Sequence, residues 1–133
     1  MFDADKVRKI IAERNETDNE WDDRLEQCWD DLANVLAEDI PGTIHFLLHD
    51  CTDNELSVIS EVMDQLIAAT QSVPLIKAYR TAIVLHPKEA ERFYLDRNLD
   101  SDIDMLADES EARRLILWRP TAEEIERLRH LQE

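Results

Sequence analysis

Residues 52–67 read Thr52-Asp53-Asn54-Glu55-Leu56-Ser57-Val58-Ile59-Ser60-Glu61-Val62-Met63-Asp64-Gln65-Leu66-Ile67. The first four form a capping box. The Thr52 hydroxyl and the Glu55 carboxylate each accept from the other's backbone amide, satisfying two donors that a helix start leaves free. Leu56, Ile59, Met63, Leu66 and Ile67 then recur at helical spacing, and Val58 with Val62 widens the stripe enough to pack against two neighbours. The spacing predicts a long helix from Asp53, a candidate for the centre of the fold.

Toward the N-terminus, Trp21, Leu25, Cys28, Leu32, Val35 and Leu36 lie on one stripe of a helix predicted from Thr17 to Glu38. A shorter helix with Val7, Ile10 and Ile11 on its apolar side precedes it. Asp39 can accept the free amides of the next helix, where Pro41 is tolerated in the first turn, and Ile44 to Leu48 makes a short buried segment.

Toward the C-terminus, Pro74 and Pro87 suit first-turn positions and divide the chain into helices near Val73 to Leu85 and Pro87 to Leu95. Ser101 with Asp104 opens a further acidic helix. Thr121-Ala122-Glu123-Glu124 is a second capping box, starting a terminal helix through Leu131. Between them, Leu115 to Trp118 fits either a helix end or an extended segment.

No stretch alternates apolar and polar residues long enough to require a sheet. The apolar share is 44% and Gly42 is the lone glycine, a composition that excludes disorder and a turn-rich β-sandwich. The expected fold is all-α, a single compact domain over residues 1–133, built of helical hairpins with about six to eight helices and no substantial sheet.

The formal charge is −16. A phosphate backbone must be met by clustered Lys and Arg, so nucleic acid is not an expected partner. Residues 1–72 hold 18 acids and 5 bases, whereas residues 73–133 hold 13 acids and 10 bases. No apolar run is long enough to span a membrane, and Met1 to Arg14 mixes charges where a signal peptide has an apolar core. The chain is expected to stay in the cytosol, with no membrane partner. Cys28 and Cys51 lack zinc-ribbon or redox spacing and read as buried free thiols.

Candidate chemistry is sparse. His45 and His49 share a helical face near Cys51, but Phe46 stands where a zinc protease places its glutamate, and the flanking Ile44, Leu47 and Leu48 suit a core helix. Asp100-Ser101-Asp102-Ile103-Asp104 is similar to calcium-loop spacing but lacks the central glycine. Phosphate-cradling loops and serine-nucleophile motifs are absent. The pairs Asp22-Asp23 and Asp30-Asp31 fall opposite the apolar stripe, where water keeps both carboxylates ionised, which makes them poor acid-base catalysts. Individually they read as a solvated face; together, the acids of the N-terminal half form a field that steers a basic partner. Among the tryptophans, Trp21 belongs with the core stripe, while Trp29, off its centre, is the better candidate for a partly exposed contact. No enzyme activity, metal or cofactor is expected.

The segment from Asp39 through Ser72 contains Asp39-Ile40-Pro41, Thr43-Ile44, Cys51-Thr52, Glu55-Leu56, Ser60-Glu61-Val62, Asp64 and Thr70-Gln71-Ser72. It resembles small helical bacterial proteins that accompany polymorphic toxins, in particular an immunity protein of contact-dependent growth inhibition. The resemblance implies a cytosolic protein that binds the C-terminal domain of a cognate toxin, commonly a nuclease, and blocks its active site by occupancy. Partner contacts are not carried over by the resemblance. The residues inferred for them are Asp22, Asp23, Trp29, Asp30 and Asp31 on the first long helix, with Asp53, Glu61 and Asp64 on the next. The alternatives are a helical adaptor taking a partner segment into an apolar groove, and a metal-dependent hydrolase using His45 and His49.

Overall fold

The computed structural model describes residues 2–17 and 22–131. Helix α1 (Ala4–Glu16) starts where the Asp3 side chain accepts from the Lys6 amide at 3.1 Å. It buries Val7, Ile10 and Ile11 against α2 (Asp22–Glu38). Thr17 is not the start of the second helix: it closes α1 in extended conformation, its hydroxyl donating to the Glu13 carbonyl. Helix α3 (Ile40–His45) follows with Asp39 as its cap, accepting from the Gly42 amide at 3.0 Å, and with Pro41 in its first turn. The backbone then loosens into a π-helical turn, Phe46–Asp50, which sinks Phe46 and Leu47 into the core.

The capping box at Thr52 forms in full. The Glu55 amide donates to the Thr52 hydroxyl at 3.2 Å, and the Thr52 amide donates to the Glu55 carboxylate at 2.9 Å. The long helix expected from there is two helices, α4 (Asp53–Ser60) and α5 (Met63–Thr70). The cause of the break is local. The Ser60 hydroxyl donates to the Ser57 carbonyl, the acceptor an unbroken helix would offer to the Glu61 amide. Glu61 instead donates to the Val58 carbonyl at 3.1 Å, and Val62 to that of Ile59 at 3.0 Å. This tight turn leaves Val62 and Met63 fully buried.

The most enclosed helix is α6 (Val73–Leu85), capped by Ser72. Leu75, Ile76, Tyr79, Ala82 and Ile83 are buried around it, together with Arg80 and Thr81. A helix apolar on nearly every side belongs in the interior, so the centre lies here rather than at α4. Arg80 is fully buried and binds Asp96 at 2.8 Å, Asp100 at 2.7 Å and the Leu115 carbonyl at 3.2 Å.

The helix expected over Pro87 to Leu95 ends earlier, as α7 (Pro87–Phe93), and Tyr94 turns the chain into α8 (Leu95–Asp102). Ser101 does not open a new helix. It lies near the end of α8, which runs on into a single 3-10 turn, Ile103–Met105, because Leu99 and Ile103 are both drawn into the core. The real start comes at α9 (Glu109–Leu117), where Asp108 accepts from the amides of Ser110 and Glu111. Leu115 to Leu117 end that helix and Trp118 is extended, with Lys77 over its ring. Helix α10 (Ala122–Leu131) follows Thr121, whose hydroxyl accepts from the Glu124 amide.

The protein is all-α, with no strand among the described residues. These hold ten α-helices, more than the six to eight expected, because the turn at Glu61-Val62 divides one predicted helix and the stretch after Tyr94 forms two, α8 and α9, where one was expected from Ser101. Buried side chains from α1 through α9 join in one contiguous cluster. No helix among the described residues is long and apolar enough to cross a membrane.

Candidate partner-binding surface

Helix α2 sorts its residues as its stripe requires. Leu25, Cys28, Leu32, Val35 and Leu36 are buried, while Asp23, Asp30 and Asp31 are exposed. Trp21 lies outside the described residues, and Asp22 is described only as the first helical position. Trp29 is half-buried at the edge of the core, and its indole Nε1 donates to Glu61 Oε1 at 2.9 Å.

Glu61 is the hub of this edge. Its carboxylate also receives Arg14 through Nε at 2.6 Å and Nη2 at 2.8 Å, a two-pronged pair linking α1 to the α4–α5 turn. The hydrogen bond to Glu61 raises the Arg14 pKa further above its ordinary value, so this guanidinium stays charged. One turn along, Gln65 donates through Nε2 to Asp30 at 3.0 Å, bridging α5 to α2. The neighbouring Asp64 is exposed and acts on Asp102 at the end of α8. Half-burial, reinforced by the Asp64 charge, pushes the Asp102 carboxyl up to about 6. Trp29 and Asp30 of α2 therefore meet Glu61 and Gln65 where α2 packs on the α4–α5 turn and α5, while Asp64 lies toward α8.

The other inferred contacts diverge. Asp31 lies on the far flank of α2, beside a groove shared with Lys6, Lys9 and Glu13 of α1, and accepts from Gln27. Asp53 faces the α6–α7 junction, where it pairs with His86. Asp30 thus turns toward α5 and Asp31 toward α1.

No family model, curated protein or solved structure matches this chain. Charge distribution and geometry therefore carry the assignment of a surface. Between Arg24 and Lys77 the chain holds ten acids and no Lys or Arg. That interval supplies nearly all of α2 and the whole of α3, α4 and α5, so these helices bring no Lys or Arg of their own beyond Arg24 in the first turn of α2, and the cations nearest to them, Arg8 and Arg14, come from α1. The gap is visible in the sequence as a stretch free of Lys and Arg, and it delimits the acidic region more sharply than the balance of the two halves does.

Two further features were not legible in the sequence. A groove of about 390 Å³ runs between α1, α4 and the α7–α8 corner, with Glu61 in its wall. Phe93, one of its lining residues, is exposed, as is Tyr94 at the α7–α8 corner. His45 and His49 do stack, with ring centroids 4.5 Å apart, and His45 Nε2 is 3.8 Å from Asp50. Among the described residues no three His, Cys, Asp or Glu side chains are grouped to hold a metal ion. Burial pushes the Cys51 thiol well above its ordinary pKa, which keeps it protonated and unreactive.

Proposed function

We propose that this protein is an immunity protein that binds a cognate toxin domain, a nuclease, and neutralises it by covering its basic active site with an acidic helical surface. The observation that carries the reading is the stretch from Arg24 to Lys77, ten acids without a Lys or Arg between them, folded into adjoining helices with Asp30 and Glu61 at their contact. A nuclease groove must be basic to hold phosphates. A surface of opposite sign speeds encounter with it and, once docked, occupies the substrate's place. The resemblance of residues 39–72 to immunity proteins of contact-dependent growth inhibition points the same way.

Binding needs no catalytic group, which agrees with carboxylates committed to structural hydrogen bonds or left to solvent. The test is coexpression with the variable C-terminal domain of the protein encoded immediately upstream. Growth should be rescued, and the two should copurify in a complex that weakens as salt rises. Absence of both rescue and complex would remove the immunity reading. A complex indifferent to salt would favour the helical adaptor.

A further inference from the structure

We infer that the turn after α3 is a binding site for one divalent transition-metal ion of the zinc class, held by the imidazoles of His45 and His49 beside the Asp50 carboxylate. The site stands on local geometry and is independent of the immunity reading.

Two histidines four apart share a face of a helix, the spacing by which a helical zinc site takes both imidazoles. In a regular α-helix a residue five positions on would point about 140° away. Here the backbone is wound differently. The Cys51 amide donates to the Phe46 carbonyl, five residues back, at 2.9 Å, and Phe46–Asp50 form a π-helical turn. The wider turn draws residues five apart toward one side, and Asp50 Oδ2 comes within 3.8 Å of His45 Nε2. A histidine pair and a carboxylate thus gather on one side of the turn, and π-helical turns are frequent at functional sites.

The two rings lie with centroids 4.5 Å apart, tilted by 38°. Zinc–nitrogen bonds of about 2.0–2.1 Å at a tetrahedral angle set two ligand nitrogens about 3.3 Å apart, a separation that rings so placed reach by rotating in place. The backbone behind them is fixed. Phe46 and Leu47, between the two histidines, are buried in the core, and the turn packs on α3, α6 and α10. Little ordering is therefore left to be lost on binding. His45 and Asp50 are exposed and His49 is half-buried, so an ion reaches them from solvent. Arg8, which donates to the Asp50 carbonyl at 3.1 Å, has its charge answered by Glu55 at 2.8 Å. Imidazole selects zinc, copper or nickel over magnesium and calcium, which take oxygen ligands. Two direct ligands are fewer than the three that a catalytic zinc takes from its protein, and Phe46 stands where a zinc protease has its glutamate. The turn is thus suited to binding an ion and not to hydrolysis, with water in the remaining positions.

The test titrates zinc chloride into the wild-type chain, His45→Gln and His49→Gln by calorimetry, in an excess of magnesium chloride that occupies exposed carboxylates. NMR spectra of the wild type locate the bound ion, and thermal melting without zinc checks the fold of each variant. One zinc ion per chain is expected, with shifts centred on residues 45–50. Each variant should bind at least about tenfold more weakly while melting with the wild type, so that the loss reports a ligand and not the fold. No binding by the wild type in the presence of magnesium would overturn the site. So would shifts centred on the carboxylates of α2 or α4, or wild-type affinity in both variants.

Discussion

Glu61 takes both Nε and Nη2 of Arg14 on its two carboxylate oxygens, at 2.6 and 2.8 Å, and this pair joins the first helix to a turn 47 residues away in sequence. The side chains are 15% and 30% exposed, so water screens them less than a surface pair. Glu61 also accepts from Trp29. Removing the carboxylate leaves three donors, two on α1 and one on α2, without their acceptor.

Glu61→Ala is therefore expected to cost about 1–2 kcal/mol. Glu61→Gln should cost less, since its amide oxygen still accepts from Trp29. Urea denaturation of both variants, completed by Arg14→Leu and the double variant with Glu61→Ala, measures the coupling. A coupling near zero would make the pair a passive surface contact.

The helix ends written into adjacent residues were legible in the sequence. Thr52 with Glu55, Asp39 with Pro41 and Thr121 all act within one turn; the first two caps appear as read, and of the second capping box the half made by the Thr121 hydroxyl appears. The break at Ser60 was not, nor was the start of α8 directly after Tyr94. Met63, Leu66 and Ile67 stay in phase with Leu56 and Ile59 across that break, so periodicity alone continues the helix. What stops it is a serine hydroxyl competing for one carbonyl. In the candidate site, the acidic character was legible as composition. The pairing of Arg14 with Glu61 and of Gln65 with Asp30 was not, because both depend on how distant helices pack. Arg80 had a signal in the sequence, since it and Lys77 are the two charges amid the otherwise largely apolar residues of α6.

Asp102 gives the protein a pH dependence opposite to that of a salt-bridged carboxylate. Its folded pKa, about 6, lies above the unfolded value of about 3.8, so between these pH values the folded state holds the proton more tightly. The resulting penalty is absent below the unfolded value, grows as pH rises and is complete above the folded one. Asp102→Asn should stabilise the protein at pH 7 by about 1 kcal/mol after allowance for its half-exposure, a rise of a few degrees in Tm. At pH 4 the gain should vanish. An equal gain at both pH values would trace the effect to something other than the charge.

The buried guanidinium of Arg80 yields a prediction about order of severity. Asp96 and Asp100 answer its charge from α8 and are themselves partly exposed, 47% and 37% by side chain. Deleting both acids strands a charge in the interior, which costs about 3–5 kcal/mol. Replacing Arg80 by methionine leaves two carboxylates that water can still reach. Asp96→Ala with Asp100→Ala should thus destabilise more than Arg80→Met, as judged by denaturation midpoints. The reverse order would show that packing around the Arg80 side chain outweighs its charge.

Charge reversal on α2 tests the acidic surface itself, and the geometry separates its two adjacent acids. Asp30 sits with Gln65 at the α2–α5 contact, next to the Trp29–Glu61 pair, whereas Asp31 faces the groove toward α1. Both are exposed, so Asp30→Lys and Asp31→Lys should each fold with stability within about 0.5 kcal/mol of wild type. Asp30→Lys should slow association with the toxin domain about tenfold at low salt, and the difference should shrink as ionic strength rises. Asp31→Lys should have a smaller effect, because its charge reaches the same partner only at long range. Stopped-flow association rates at two salt concentrations distinguish the two residues. Equal slowing by both would mean that the field of the whole helix matters and its faces do not, while unchanged rates and unchanged neutralisation in both would remove α2 from the proposed surface.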